Sequence, residues 1–283
     1  MTSNIPDRIT AFLSSRFPGP DAAVEKLAGD ASDRSFYRAR FSPPVAGGAD
    51  SAVIMALSGP ADEDALTYLD VQRHMLHAGL PVPRVLDMDL EGGFIVLEDL
   101  GDLTLEEAVR DAPRDRVVRL YRRAVDMMLD VQLDGTRNMN HGCIAFSLAF
   151  DTEKLLFELD FFFRHAVVAY KRAPPSPTEE KILRDGFHRI ASTLSAEPRF
   201  MTHRDYHSRN IMVRDDGSLA MVDFQDARMG PLQYDLASLI LDTYAALPRD
   251  VVSGLYDYYF EQLSARAARP PDRSHFDRVF HYM

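Results

Sequence analysis

Apolar side chains recur at helical spacing in the first segment, where Ile5, Ile9, Phe12, Leu13 and Phe17 fall on one face before Pro18-Gly19-Pro20 ends the run. The pattern then changes to short apolar stretches. Residues 24–27, 36–41 and 51–57 read as strands. A small-residue turn, Ala28-Gly29-Asp30-Ala31-Ser32-Asp33, separates the first two, and Pro43-Pro44 and Gly47-Gly48 mark the loop before the third. Helical spacing returns over about 62–78, with Leu66, Leu69, His74, Met75 and Leu76 near the packed side and Gly79 and Pro81 as the stop. Val85-Leu86 and Phe94-Ile95-Val96-Leu97, on either side of Gly92-Gly93, complete a strand, strand, strand, helix, strand, strand order.

After Gly101 the character is mostly helical, over about 104–111, 114–132, 152–171 and 177–194, and again from Tyr234 onward. The aromatic residues Phe157, Phe161, Phe162, Phe163 and Tyr170 read as core packing of the third of these helices. Pro174-Pro175-Ser176-Pro177 is a loop between helices, and no internal repeat is visible. Between the helices, Ile211-Met212-Val213 and Leu219-Ala220-Met221-Val222 flank the turn sequence Asp215-Asp216-Gly217, which predicts a hairpin. The expected architecture is α+β in two parts, 1–101 rich in strands and 102–283 mostly helical.

Composition narrows the function classes. A chain of 283 residues with 46% hydrophobic content has core enough for two lobes or one large domain. A formal charge of -11 argues against a nucleic-acid binder. The single cysteine, Cys143, excludes an internal disulfide and a cysteine zinc cluster. No apolar run approaches a membrane span, and the polar start with Arg8 lacks a signal-peptide core. The expectation is a soluble, cytoplasmic monomer.

Candidate chemistry sits around the hairpin. Residues His203-Arg204-Asp205-Tyr206-His207-Ser208-Arg209-Asn210 are followed, thirteen positions after the asparagine, by Asp223-Phe224-Gln225. This is the spacing of the His-Arg-Asp-x-x-x-x-Asn catalytic loop of kinases and its metal-binding Asp-Phe pair. Phosphoryl transfer needs a carboxylate at the acceptor hydroxyl, plus an amide oxygen and a second carboxylate to hold magnesium against phosphates. Asp205, Asn210 and Asp223 supply those functions in that order. A chance match to the four fixed residues arises in on the order of one in several hundred chains of this length, so an accidental surface hairpin is the weaker reading. His203 is expected to orient the loop. Although His203 and His207 stand four apart, no glutamate lies between them as in His-Glu-x-x-His, so zinc is disfavoured.

The nucleotide side departs from the usual pattern. The lysines are Lys26, Lys154, Lys171 and Lys181, so the strand Ser51-Ala52-Val53-Ile54-Met55 offers none to grip the phosphates. Arg34, Arg38 or Arg40, with backbone amides from Gly29 through Ser32 to Ser35, are the candidate substitutes; a plain turn with solvated arginines is the alternative. After Asp223 the chain passes through Asp226 and Gly230-Pro231 directly to a helix at Tyr234, without Ala-Pro-Glu, which predicts a site open to a small acceptor. Glu158, Arg209, Asp226 and Asp242 are the acceptor candidates, while Asp235 is expected to cap or anchor its helix.

Taken together, the catalytic loop, Asp223-Phe224-Gln225-Asp226 and the missing activation segment resemble the aminoglycoside phosphotransferase and choline kinase superfamily. Within it, Ala28-Gly29-Asp30-Ala31-Ser32, Leu97-Glu98-Asp99-Leu100-Gly101-Asp102 and Tyr234-Asp235-Leu236 look most like the bacterial anomeric kinases of N-acetylmuramate and N-acetylglucosamine, which serve cell-wall sugar recycling. The likeness runs from about residue 24 to the end. It implies a two-lobed protein-kinase-like fold, with a small β-rich N-lobe and a mostly helical C-lobe, using ATP and Mg2+. It also implies a connector at Glu98, Asp99 and Leu100 that presents backbone groups to the adenine edge. Two alternatives stand beside the sugar kinase: a kinase of an aminoglycoside, choline-like or other amino-alcohol acceptor drawn to an acidic pocket, and a catalytically silent nucleotide-binding regulator. The chain differs from the resemblance in having no tryptophan beside the sugar. Similar enzymes continue past Met283, which predicts exposed apolar surface near 276–282.

Overall fold

The computed structural model describes residues 4–19, 21–27, 34–45, 48–57, 59–60, 63–139, 142–170 and 174–283, with the side chains of residues 63 and 64 excepted. The turn at 28–33, with Ser32, lies outside the described residues. Helix α1 (Ile5–Arg16) leads into strands β1 (Asp21–Lys26), β2 (Ser35–Ser42) and β3 (Ser51–Ala56), helix α2 (Glu63–His77), and strands β4 (Val85–Asp89) and β5 (Phe94–Glu98). The five strands form one antiparallel sheet in the order β1-β2-β3-β5-β4.

Period-2 alternation sorts the strand side chains onto two cores. Tyr37, Ala39 and Phe41 of β2, Ala52 and Ile54 of β3, and Phe94 and Val96 of β5 pack on Ile9, Phe12 and Leu13 of α1. Met55 and Leu57, with Ile95 and Leu97 of β5, face the other way, into the main core shared with α2 and the C-terminal helices. The sheet is therefore buried on both faces, and α1 is fixed by the Phe12–Phe94 ring stack and by Arg8 donating to the Gly92 carbonyl (2.7 Å). In α2 the buried stripe is Ala65, Tyr68, Leu69, Gln72 and Met75. This phase leaves Leu66 and Leu76 exposed, contrary to the sequence expectation, because each lies about 100° from a buried neighbour.

The C-terminal part consists of α3 (Leu105–Val109), α4 (Arg114–Leu129), α5 (Thr152–Phe162), α6 (Pro177–Ser195), α7 (Gln233–Ile240), α8 (Arg249–Arg266) and α9 (Arg273–Phe280). Both α4 and α5 run on into π-helical turns, Asp130–Gly135 and Phe163–Tyr170. Capping boxes at Thr104/Glu107 and Ser176/Glu179 start α3 and α6. Three-residue strands make two small antiparallel pairs: β6 (Phe200–Thr202) with β9 (Arg228–Gly230), and β7 (Ile211–Val213) with β8 (Leu219–Met221). Gly230 permits the first pair, since a Cβ there would lie 2.6 Å from the Phe150 ring.

Two expectations about apolar surface are overturned. Of the α5 aromatics only Phe163 is buried; Phe157, Phe161, Phe162 and Tyr170 are exposed, because α5 turns Leu155 rather than these rings toward α6. Near the end of the chain, Phe276 and Val279 are buried, Phe276 among Tyr256, Tyr259 and Phe260 of α8, and only Tyr282 is exposed.

Candidate active site

The loop between β6 and β7 carries the site, and two buried carboxylates hold it. Asp235 of α7 accepts the backbone N–H groups of His203 (2.7 Å) and Arg204 (3.1 Å). The second of these contacts sustains Arg204 at φ +82°, a left-handed conformation that a residue of its type avoids unless tied down. Asp242, just past α7, accepts both the backbone N–H (2.9 Å) and the hydroxyl of Ser208, together with the Tyr244 N–H (2.7 Å). Asp235 thus anchors the catalytic loop rather than its own helix. The sequence reading placed Asp242 at the acceptor; the structure buries it and commits one oxygen to Ser208 of the loop and the other to the Tyr244 N–H.

His203 is buried and its Nε2–H donates to the Val222 carbonyl (3.0 Å), stitching the loop to the end of β8. Burial pushes its pKa down to about 4. Since the unfolded chain takes a proton at His203 near pH 6.5 and the native state does not, this residue contributes stability above that pH. The contribution is lost as pH falls through about 4. Replacing His203 with Gln is therefore expected to destabilise more at pH 7 than at pH 4, the difference being on the order of 3 kcal/mol. Urea unfolding at the two pH values measures it, and equal losses would show that His203 is not held neutral.

The hairpin does what its sequence predicts. Asn210 donates through Nδ2 to the Asp205 carbonyl (3.0 Å) and lies 3.4 Å from Asp223 Oδ2, so both metal candidates meet at the base of β7 and β8. Asp223 sits at φ +64° and accepts from Gln225 Nε2 (2.9 Å). Among the described residues no group of three or more His, Cys, Asp and Glu side chains could hold a metal ion. One carboxylate beside one amide suits magnesium, which takes few protein ligands and completes its shell from phosphate and water oxygens.

Asp205 itself has a raised pKa. Burial is the leading cause; Arg204 opposes it, and the negative charges of Asp223 and Asp226 add to it. Arg204 is the hub of the charges around Asp205. Its guanidinium is 3.1 Å from Asp226, 3.9 Å from Asp205 and 3.7 Å from Glu158 of α5. Lys154 lies 3.3 Å from Glu158, and Arg228 lies 3.4 Å from Asp226. Glu158 and Asp226 are thus gathered at Asp205 as expected. Arg209 is directed elsewhere, to Glu106 of α3 (2.7 Å) and over the Tyr244 ring.

The three candidate arginines of the nucleotide side part company. Arg40 is exposed and pairs with Glu25 (3.0 Å). Arg38 is buried against Asp99 and Asp102. Arg34 acts electrostatically, as does Asp223, on the hydroxyl of Tyr68, whose ring stacks on Phe224 at 4.9 Å. Glu98 accepts from Arg84 (3.2 Å) and lies 3.7 Å from Arg214, while Leu100 is buried.

Sequence reasoning missed Arg204, Lys154 and Arg228 as charges gathered beside Asp205, and Tyr68 and Gln225 beside Asn210 and Asp223. Arg204 lay within the catalytic string and Gln225 within Asp223-Phe224-Gln225. Lys154 and Arg228 pair locally, with Glu158 four residues on and Asp226 two residues back, contacts too ordinary to signal a site, whereas Tyr68 meets Phe224 across a long separation.

Comparison with known proteins agrees with this geometry. Residues 23–273 match the phosphotransferase enzyme family. An N-acetylmuramate/N-acetylglucosamine kinase of Neisseria meningitidis serogroup B is 28% identical over 97% of this chain and 77% of its own length. One of Pseudomonas aeruginosa is 29% identical over 92% of this chain and 72% of its own. Among solved structures, a choline kinase from Streptococcus pneumoniae superposes with a TM-score of 0.62 at 15% identity, covering 98% of this chain and 86% of that one. An aminoglycoside-3'-phosphotransferase of type VIII gives 0.58 at 15% identity over 98% of both chains. The two-lobed kinase-like fold expected from the sequence is the fold found.

Proposed function

The chain belongs to the phosphotransferase enzyme family, and from that premise we propose that it is an ATP-dependent kinase of N-acetylated amino sugars, placing the γ-phosphate on the anomeric hydroxyl of N-acetylmuramate or N-acetylglucosamine. Residues 1–101 would bind the nucleotide and 102–283 would supply catalysis and the acceptor site. A cytoplasmic monomer is the state that goes with this reading of an ATP-using kinase of small molecules. No described helix is long and apolar enough to cross a membrane.

The observation that carries the acceptor reading is the charge balance beside Asp205. Three carboxylates, Asp205, Asp226 and Glu158, are interleaved with three cations, Arg204, Arg228 and Lys154. A polycationic antibiotic or a choline-like acceptor calls for a net acidic pocket, and here the acidic side chains already have cationic partners. A neutral or carboxylate-bearing sugar meets no such mismatch. Its hydroxyls can donate to Asp226 and Glu158 while Arg204 and Lys154 receive ring oxygens or a carboxylate.

In this reading Asp205 orients the acceptor hydroxyl and receives its proton late in the transfer; its raised pKa improves it as an acceptor of that proton. An anomeric hydroxyl is more acidic than the other sugar hydroxyls and asks little of the base. Asn210 and Asp223 would hold Mg2+, which when bound neutralises phosphate charge. Arg34, whose charge is felt at the Tyr68 hydroxyl, would add positive charge where a strand lysine is missing.

Incubation with ATP and, separately, N-acetylmuramate, N-acetylglucosamine, kanamycin and choline tests the proposal. Turnover of the amino sugars is expected, with a product whose phosphorus resonance couples to the anomeric proton. A 6-phosphate product, or turnover of kanamycin or choline but of neither amino sugar, would overturn it.

A further inference from the structure

Arg38 was a candidate phosphate ligand in the sequence, but its surroundings give it a different task. On β2 it shares the face of Phe36, turned away from α1, and its partner in register is Val53 of β3, itself opposite Leu97 of β5. From there the guanidinium reaches the connector that follows β5. Nε lies 2.7 Å from Asp99 Oδ2, Nη2 donates to Asp99 Oδ1 (3.0 Å) and to the Gly101 carbonyl (3.2 Å), and Nη1 donates to Asp102 Oδ1 (2.6 Å). The side chain is only 5% exposed. Burial alone would lift the Asp99 pKa, yet the hydrogen bonds from Arg38 and the Gly101 N–H hold it below the usual value.

The contacts form a closed unit. Asp99 is fixed by the guanidinium and in turn accepts the Gly101 N–H (3.0 Å). Gly101 closes the turn at φ +85°, where a side chain would be strained. A buried guanidinium held by two carboxylates and a backbone carbonyl is a rigid fixture, and here all three lie within the same four residues, Asp99 to Asp102.

We propose that Arg38 is the positioning residue of the purine site: it clamps residues 98–102 in the backbone shape that receives the adenine edge, and does so without touching the phosphates. The inference rests on the kinase reading above, though not on the identity of the acceptor. It predicts which part of the nucleotide feels the loss. A phosphate ligand would weaken ATP and spare adenosine; a clamp on the connector weakens both alike.

Calorimetric titration of adenosine and of ATP with Mg2+, without acceptor, separates these. Arg38→Met is expected to weaken both ligands by about tenfold, and Arg38→Lys, which keeps charge but not the planar fork that spans Asp99, Gly101 and Asp102, by nearly as much. Asp102→Asn alters a residue 80% exposed, so folding is not at risk; it should weaken both by about threefold. With any of these variants the KM of the acceptor should stay unchanged. Unaltered adenosine affinity in Asp102→Asn and in whichever Arg38 variant folds would overturn the clamp, whether ATP affinity falls or not. A parent protein that binds adenosine and ATP but phosphorylates no amino sugar would remove the acceptor assignment and leave this inference standing. If the parent bound neither nucleotide, both would fall.

Discussion

Replacing Asp223 with Asn is expected to reduce turnover by about a thousandfold or more, with the fold intact. The choice of Asn matters, because Asp223 sits at φ +64°, where alanine costs about 1–2 kcal/mol and asparagine is tolerated. Asn also keeps an oxygen for Gln225 Nε2, which now donates to Asp223 Oδ1 at 2.9 Å. What it removes is the negative charge beside Asn210, the one carboxylate of the pair placed to neutralise magnesium. The companion variant, Asp205→Ala, should lower kcat by about 10²- to 10⁴-fold while leaving ATP affinity within about twofold, since the proposed role of Asp205 is at the acceptor hydroxyl rather than at the phosphates. Steady-state kinetics with the amino-sugar acceptor at saturating Mg2+ measure both. Near-normal turnover in either variant would remove that residue from the chemistry.

These two residues could be read directly from the chain because their relation is local. The string from His203 to Asn210 and the hairpin that returns to Asp223 are specified within twenty-one residues, and the turn chemistry of Asp215-Asp216-Gly217 sets the return. The five-stranded sheet was legible for a similar reason: alternation along β2, β3 and β5 forces one face toward α1 and the other toward the main core. What stayed hidden depends on distance along the chain. Strands β6 and β9 are three residues each and 26 positions apart at their nearest ladder pair, too short to show a period. Arg38 and Asp99 are 61 apart, and nothing in their neighbours distinguishes a phosphate ligand from a buried clamp. The exposed rings of Phe157, Phe161 and Phe162 show the complementary limit, since a run of aromatics fixes hydrophobicity but not which side of the helix the core lies on.

The second large effect is expected at Asp235, which the sequence marked only as a helix anchor. Its two oxygens accept the N–H groups of His203 and Arg204, both of the catalytic loop, the first buried and the second partly buried. Asp235→Asn offers one oxygen and one NH2, so one backbone N–H faces another donor and goes unsatisfied, at a cost of about 1–3 kcal/mol. The strain held in Arg204 at φ +82° then has a way to relax, and Asp205 is the next residue along. Turnover should fall about a hundredfold with ATP affinity within about twofold. The pH dependence gives a signature that a simple loss of packing would not. Burial raises the Asp235 pKa to about 7, against the two backbone donors that lower it, and the charge of Asp205 adds to the rise. The native state therefore holds more protons than the unfolded chain between the ordinary aspartate range and pH 7. The stability Asp235 contributes is full below about pH 4 and is lost as pH rises through about 7. Asp235→Asn removes this slope, so it should destabilise more at pH 5 than at pH 8; the opposing slope from His203 is common to both proteins and cancels in the difference. Urea unfolding of parent and variant at the two pH values decides the matter. A larger loss at pH 8 would mean that Asp235 is an ordinary ionised anchor, and unchanged turnover would mean that the loop keeps its shape without it.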